Sequence, residues 1–164
     1  MNDKEFEKTV ITYKDQLYNY LFWMTGNRTE AEDVLQETFL RYYKYGDPVE
    51  NPKAWLFKVA RNVYLKRQRK RSREVSLELV EANPVLPGMQ VALEREELIR
   101  KVREGLKKLK DHHREVIILR YMEGLSYEEM AAVLGENVGT IKSRLNRAKE
   151  KLREKLILYM GVEK

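Results

Sequence analysis

The sequence predicts an all-α protein built as two small helical domains joined by a flexible linker. Apolar residues recur at helical steps of three and four nearly throughout, and no alternating Val/Ile/Thr-rich run offers a strand. The pattern breaks over residues 72–88, where Pro84, Pro87 and Gly88 gather and Glu74, Glu78 and Glu81 replace a run of cations. The expected division is 1–73, an acidic linker 74–92, and 93–164. Two domains of roughly 70 residues each would be individually marginal.

The first helix is expected from about Glu5 to Met24, with Val10, Leu17, Leu21 and Met24 among polar residues and Gly26 as a left-handed terminus. Thr29 and Glu32 have capping-box spacing and predict a second helix from there, through Val34, Leu35 and Phe39, to about Tyr45. The loop YGDPVENP stops it, and a third helix follows from about Lys53 to Arg71. After the linker, helices are expected over Val91 to Lys110, with a break late in that span, and over Asp111 to Glu123. A short helix and a long basic one then flank Gly135, Glu136 and Asn137.

That last pair carries the stronger chemical signal. Ser126 and Glu129 have capping-box spacing, Gly135 ends the short helix, and Asn137 is a good N-cap for the next. Ala131 and Gly135 leave room for the tight crossing of a helix-turn-helix. The long helix sets Ile141, Leu145, Ala148, Leu152 and Leu156 on an apolar stripe. Its other faces carry Lys142, Ser143, Arg144, Asn146, Arg147, Lys149 and Lys151. Arg and Lys reach guanine acceptors, Asn pairs with adenine, and Ser serves either, so the mixture suits a DNA major groove. A solvated basic helix is the plain alternative.

A second basic region lies in PKAWLFKVARNVYLKRQRKR, where Leu56, Val59, Ala60 and Val63 predict the buried stripe. Trp55, Lys58, Asn62, Lys66 and Arg69 fall on another face, with Lys53, Arg61, Arg67, Lys70, Arg71 and Arg73 close by. Cations that track phosphates beside an aromatic and an amide suit single-stranded DNA, with unstacked bases received on a ring or in a loop. Trp55 fits a core anchor equally well.

The whole composition agrees with an anionic partner. The 164 residues carry a net charge of +6, with 43% hydrophobic and 35% charged residues. No apolar run approaches the roughly 18 residues of a membrane crossing, and MNDKEFEK is too polar for a signal peptide, so a cytoplasmic chain without membrane insertion is expected. The absence of cysteine removes thiolate nucleophiles and cysteine metal sites together. His112 and His113 are adjacent, and side chains at i and i+1 diverge on a helix, so neither a metal site nor a cofactor is expected. No phosphate-cradling glycine loop or nucleophile motif speaks for an enzyme.

Three segments, in order, resemble the extracytoplasmic-function group of the sigma-70 family, the promoter-specificity factors of bacterial RNA polymerase. AEDVLQETFLR is similar to that family's polymerase-binding segment, AWLFKVARNVYLKRQRKR to its melting and minus-10 segment, and LSYEEMAAVLGENVGTIKSRLNRAKEKLRE to its minus-35 reader. The resemblance implies that Asp33, Gln36 and Glu37 dock on the clamp helices of the largest polymerase subunit. It implies that Asn62 and the loop Gly46 to Pro52 capture a flipped minus-10 base, with Lys58, Arg61, Lys66 and Arg69 among the minus-10 contacts. Lys142, Ser143, Asn146 and Arg147 would face the minus-35 groove, with Arg120 reaching DNA from the adjoining helix. An anti-sigma factor is a further partner implied by the family. Two features depart from the pattern: a short loop before Trp55, and Asn146 where many relatives carry an aromatic or histidine. The rival reading is a helix-turn-helix repressor or activator that binds duplex DNA without polymerase.

Overall fold

The computed structural model describes residues 1–46, 49–71 and 93–160. All regular structure among them is helical: α1 Asp3–Thr25, α2 Arg28–Tyr45, α3 Pro52–Arg71, α4 Leu93–Lys107, α5 Asp111–Ile117, α6 Tyr127–Leu134 and α7 Val138–Met160. The expected linker, 74–92, lies outside the described residues. The chain divides into two compact units, Met1–Pro84 with Ala132–Gly135, and Val85–Ala131 with Glu136–Lys164. Helices α1 to α3 lie wholly in the first and α4, α5 and α7 wholly in the second, while α6 is divided by the boundary.

In the first unit, local chemistry sets each helix end. Asn2 caps α1, its Oδ1 accepting from the Glu5 amide at 2.9 Å, and Gly26 ends it at φ 67°, a left-handed conformation that a Cβ would disfavour. The capping-box expectation for α2 is corrected: Asn27, not Thr29, is the N-cap, with its Oδ1 3.0 Å from the Glu30 amide. The Thr25 hydroxyl accepts from the Asn27 amide at 3.2 Å, so the α1–α2 turn is already closed before Thr29 is reached. Asn51 caps α3 in the same way, 3.1 Å from the Ala54 amide, and Pro52 takes the first helical position, where no amide donor is needed.

The three helices close around Leu17, Tyr20, Leu21, Val34, Leu56, Phe57, Ala60 and Tyr64, among others. Each fully buried Leu or Phe contributes about 1.5–3 kcal/mol over its exposed state. The expected α3 stripe shifts slightly: Val59 is only half-buried, while Phe57 and Tyr64 are buried. Tyr20 meets Phe57 edge-on at 5.6 Å, and the Tyr64 hydroxyl donates to the Met24 carbonyl at 3.2 Å. Those two bridges rotate α3 beyond what its aliphatic residues alone would indicate.

In the second unit, α4 and α7 approach closely at Gly105, where a Cβ would stand 3.1 Å from Leu152 Cδ1. Buried Leu106, Val116, Ile118, Leu119, Leu125, Ile141, Leu145 and Ala148 form its core. Helix α5 does not run as one regular helix to Glu123. After Ile117 it widens into a π-helical turn, Ile118–Met122, in which the Glu123 amide donates to the Ile118 carbonyl at 2.9 Å. Gly124 at φ 69° then redirects the chain. The Ser126–Glu129 capping box is complete in both directions, each bond 3.0 Å, and Asn137 caps α7 through the Thr140 amide at 2.8 Å. No helix among the described residues is long and apolar enough to cross a membrane.

Candidate nucleic-acid interfaces

On α3 the buried residues turn inward and leave Lys58, Asn62, Lys66 and Arg69 exposed on the solvent side, with Arg61 half-buried beside them. The structure thus brings together the α3 residues singled out from sequence. Trp55 is half-buried, and its ring meets Tyr42 edge-on at 5.4 Å. Tyr42 also stacks on Phe6 at 6.4 Å, and at Gly46 any Cβ would run into the Tyr42 ring. Tyr42 therefore organises both the start of the α2–α3 loop and Trp55 at its far side. Asp47 and Pro48 of that loop lie outside the described residues.

Two cations grouped with this face from sequence belong elsewhere. Arg67 turns toward α2, its Nη2 3.5 Å from Glu37 Oε2 and its Nη1 3.9 Å from Asp33 Oδ2. Arg71 Nη1 lies 2.5 Å from Oε2 of Glu30, a carboxylate only 4% exposed. With Asn27, Lys66 and Lys70 these residues line a groove between α2 and α3, so Lys66 borders both that groove and the exposed α3 face. The α2 acids are consequently not a bare anionic face. Gln36 and Asp33 are exposed, while Glu37 is half-buried and also bound to Arg41 at 2.9 Å. Glu30 was not singled out in the sequence, because only the packing of α3 closes it off.

On α7, Lys142, Ser143, Asn146 and Arg147 are exposed, opposite buried Ile141, Leu145 and Ala148. Arg144 is held back at 3.3 Å from Glu136 in the turn. Arg120, in the π-helical turn, donates through Nη1 to the Leu125 carbonyl at 2.9 Å and lies over the Tyr127 ring, 4.2 Å from its centroid. Lys142 Nζ stands 5.3 Å from the centroid of the same ring. Tyr127 thus joins two of the expected DNA-facing cations. It falls at no informative step in the sequence, since side chains from the π-helical turn and from α7 meet its ring.

Perturbed titrations are few. Burial, then the positive neighbours His112, Lys110, Lys151 and Arg144, hold His113 below the usual histidine value. Tyr43 is raised because its hydroxyl donates to Asp3 at 3.2 Å and the carboxylate opposes a phenolate. Among the described residues no cluster of three or more His, Cys, Asp or Glu side chains could hold a metal ion.

Comparison with known proteins gives both halves a counterpart. Residues 9–74 match the model of sigma-70 region 2, and residues 99–152 that of sigma-70 region 4. The ECF RNA polymerase sigma factor SigW of Bacillus subtilis is 35% identical over 92% of this chain and 88% of its own length. The ECF RNA polymerase sigma factor EcfG of Rhodopseudomonas palustris is 42% identical over 79% of this chain and 72% of its own. Among solved structures, the sigma factor RpoE in complex with the anti-sigma factor NepR from Bartonella quintana aligns with TM-score 0.78 and 30% identity, covering 98% of this chain and 99% of that one. CnrH in complex with the cytosolic domain of CnrY aligns with TM-score 0.69 and 28% identity, covering 99% and 92%. The second complex corrects the expectation of a simply cytoplasmic chain: a similar protein is held by one domain, the cytosolic one, of its partner.

Proposed function

The chain belongs to the sigma-70 family, in its extracytoplasmic-function group, and from that membership we propose how its surfaces share the work. It directs core RNA polymerase to promoters, has core polymerase and an anti-sigma factor as partners, and is not itself an enzyme.

In this reading, residues 1–73 are the region 2 domain, 74–92 an acidic connection, and 93–164 the region 4 domain. Asp33, Gln36 and Glu37 on α2 engage polymerase. Lys58, Arg61, Lys66 and Arg69 hold the backbone of melted minus-10 DNA, and Asn62 with the Gly46 to Pro52 loop receives an unstacked base. Lys142, Ser143, Asn146 and Arg147 read the minus-35 duplex, with Arg120 contributing from the π-helical turn after α5. The observation that carries this is that each unit presents its own exposed cationic surface, one on α3 with the amide of Asn62 among its cations, the other on α7 with Ser143 and Asn146 among its cations.

The chemistry follows from equilibrium. Each stacked or pocketed base offers about 1–3 kcal/mol, so capture of unpaired bases draws the duplex toward the open state without a reacting residue. Two weak readers on one chain raise each other's effective concentration when the promoter elements are correctly spaced, and polymerase fixes that spacing.

Purified chain, core enzyme and a promoter library test the reading. Transcription from a defined promoter set that requires both proteins is expected. Tight, specific duplex binding by the chain alone, with no stimulation of core, would instead support a helix-turn-helix repressor.

A further inference from the structure

A concavity in the second unit is lined by His112, His113, Asn137, Thr140, Ser143 and Arg147, with Gly139 and Arg144 completing it. No carboxylate lines it. Two acids adjoining the lining residues in sequence are each ion-paired, Glu136 with Arg144 at 3.3 Å and Asp111 with Arg114 at 2.7 Å. The imidazoles do not diverge as expected of adjacent helical positions: their ring centroids lie 4.1 Å apart at the start of α5, while the hydroxyls and guanidinium come from α7. Imidazole, hydroxyl and guanidinium donors around an acid-free depression suit a phosphate oxygen.

We propose that His112 and His113, with Thr140, form a seat for a DNA backbone phosphate beside the minus-35 bases read by Ser143 and Arg147. This rests on the minus-35 assignment above, because Ser143 and Arg147 belong to both surfaces. It adds to that assignment a contact from α5 that carries no base information and sets affinity and register.

A linkage follows. In the free chain His113 is kept neutral over more of the pH range by burial and by His112, Lys110, Lys151 and Arg144, and no acid in the concavity opposes this. A phosphate seated there reverses the balance and favours the imidazolium. The bound state then holds more protons than the free state, so binding tightens as pH falls through the bound-state value of His113 and stops tightening below its free-state value.

The test uses holoenzyme reconstituted from core polymerase and the full chain, with promoter affinity measured at pH 6.0 and 8.0 and over a salt series. For the native chain, affinity should be several-fold higher at the lower pH. His112→Gln/His113→Gln should lose most of that difference and reduce the salt slope by about one ion, while minus-35 base preference is unchanged. His113→Lys, with a fixed charge, should bind at pH 8.0 as the native chain does at pH 6.0, and it serves if the double variant folds poorly. Identical pH response and salt slope in native and variant holoenzymes would overturn the seat. Arg147→Ala separates the two levels: base preference unaltered in that variant would remove the minus-35 assignment itself.

Discussion

The guanidinium of Arg120 lies 4.2 Å from the centre of the Tyr127 ring, joining the π-helical end of α5 to the first residue of α6. Lys142 approaches the same ring from α7. A cation near an aromatic face gains about 0.5–1 kcal/mol where solvent reaches it, and the larger effect is that the ring restricts where both cations can sit. Tyr127→Leu should therefore weaken minus-35 binding by about three- to fivefold, and Tyr127→Phe should leave it near the native level. Holoenzyme affinity for promoters with and without an intact minus-35 element would check this; equal losses in both variants would point to the hydroxyl.

Arg67 reaches both α2 acids, 3.5 Å from Glu37 and 3.9 Å from Asp33. If those carboxylates engage polymerase, Arg67 competes for them. Arg67→Ala should raise affinity for core at low salt, with the gain fading as ionic strength rises, and Glu37→Gln should lower it. Titration of labelled chain with core would measure both; a fall in affinity for Arg67→Ala would place that arginine within the polymerase contact.

Glu30 is nearly enclosed and faces Arg71, whose side chain is 39% exposed. Removing the cation strands a buried carboxylate, while solvent access to Arg71 keeps the loss below that of a fully buried pair. Arg71→Ala should destabilise the first unit by about 2 kcal/mol, and adding Glu30→Gln should recover part of it. Both tryptophans of the chain, Trp23 and Trp55, lie in this unit, so tryptophan fluorescence during urea unfolding reads it separately.

Asn62 is exposed on α3 between Lys58 and Lys66. Asn62→Ala should leave stability and minus-35 binding intact while reducing open-complex formation. Permanganate reactivity of promoter thymines is the readout, and native reactivity would take Asn62 out of the base-capturing set.

What the sequence determined by itself is local. Caps and breakers within four residues of each other placed most helix ends: the Ser126–Glu129 box, Asn137 and Gly26 all act as their spacing indicates, since their bonds close within one turn. Exposure of Lys58, Asn62, Asn146 and Arg147 was legible too, because helical periodicity alone separates them from the apolar stripe. Tertiary structure decided the partners of charges and rings that lie far apart in the chain. It drew Arg67 and Arg71 away from the α3 surface and onto α2, enclosed Glu30, and set Arg120 and Lys142 over Tyr127. Periodicity reports which way a side chain leaves its own helix, whereas the charge or ring it meets is fixed by how neighbouring helices cross, and crossing is settled by bulky contacts such as Tyr20 on Phe57.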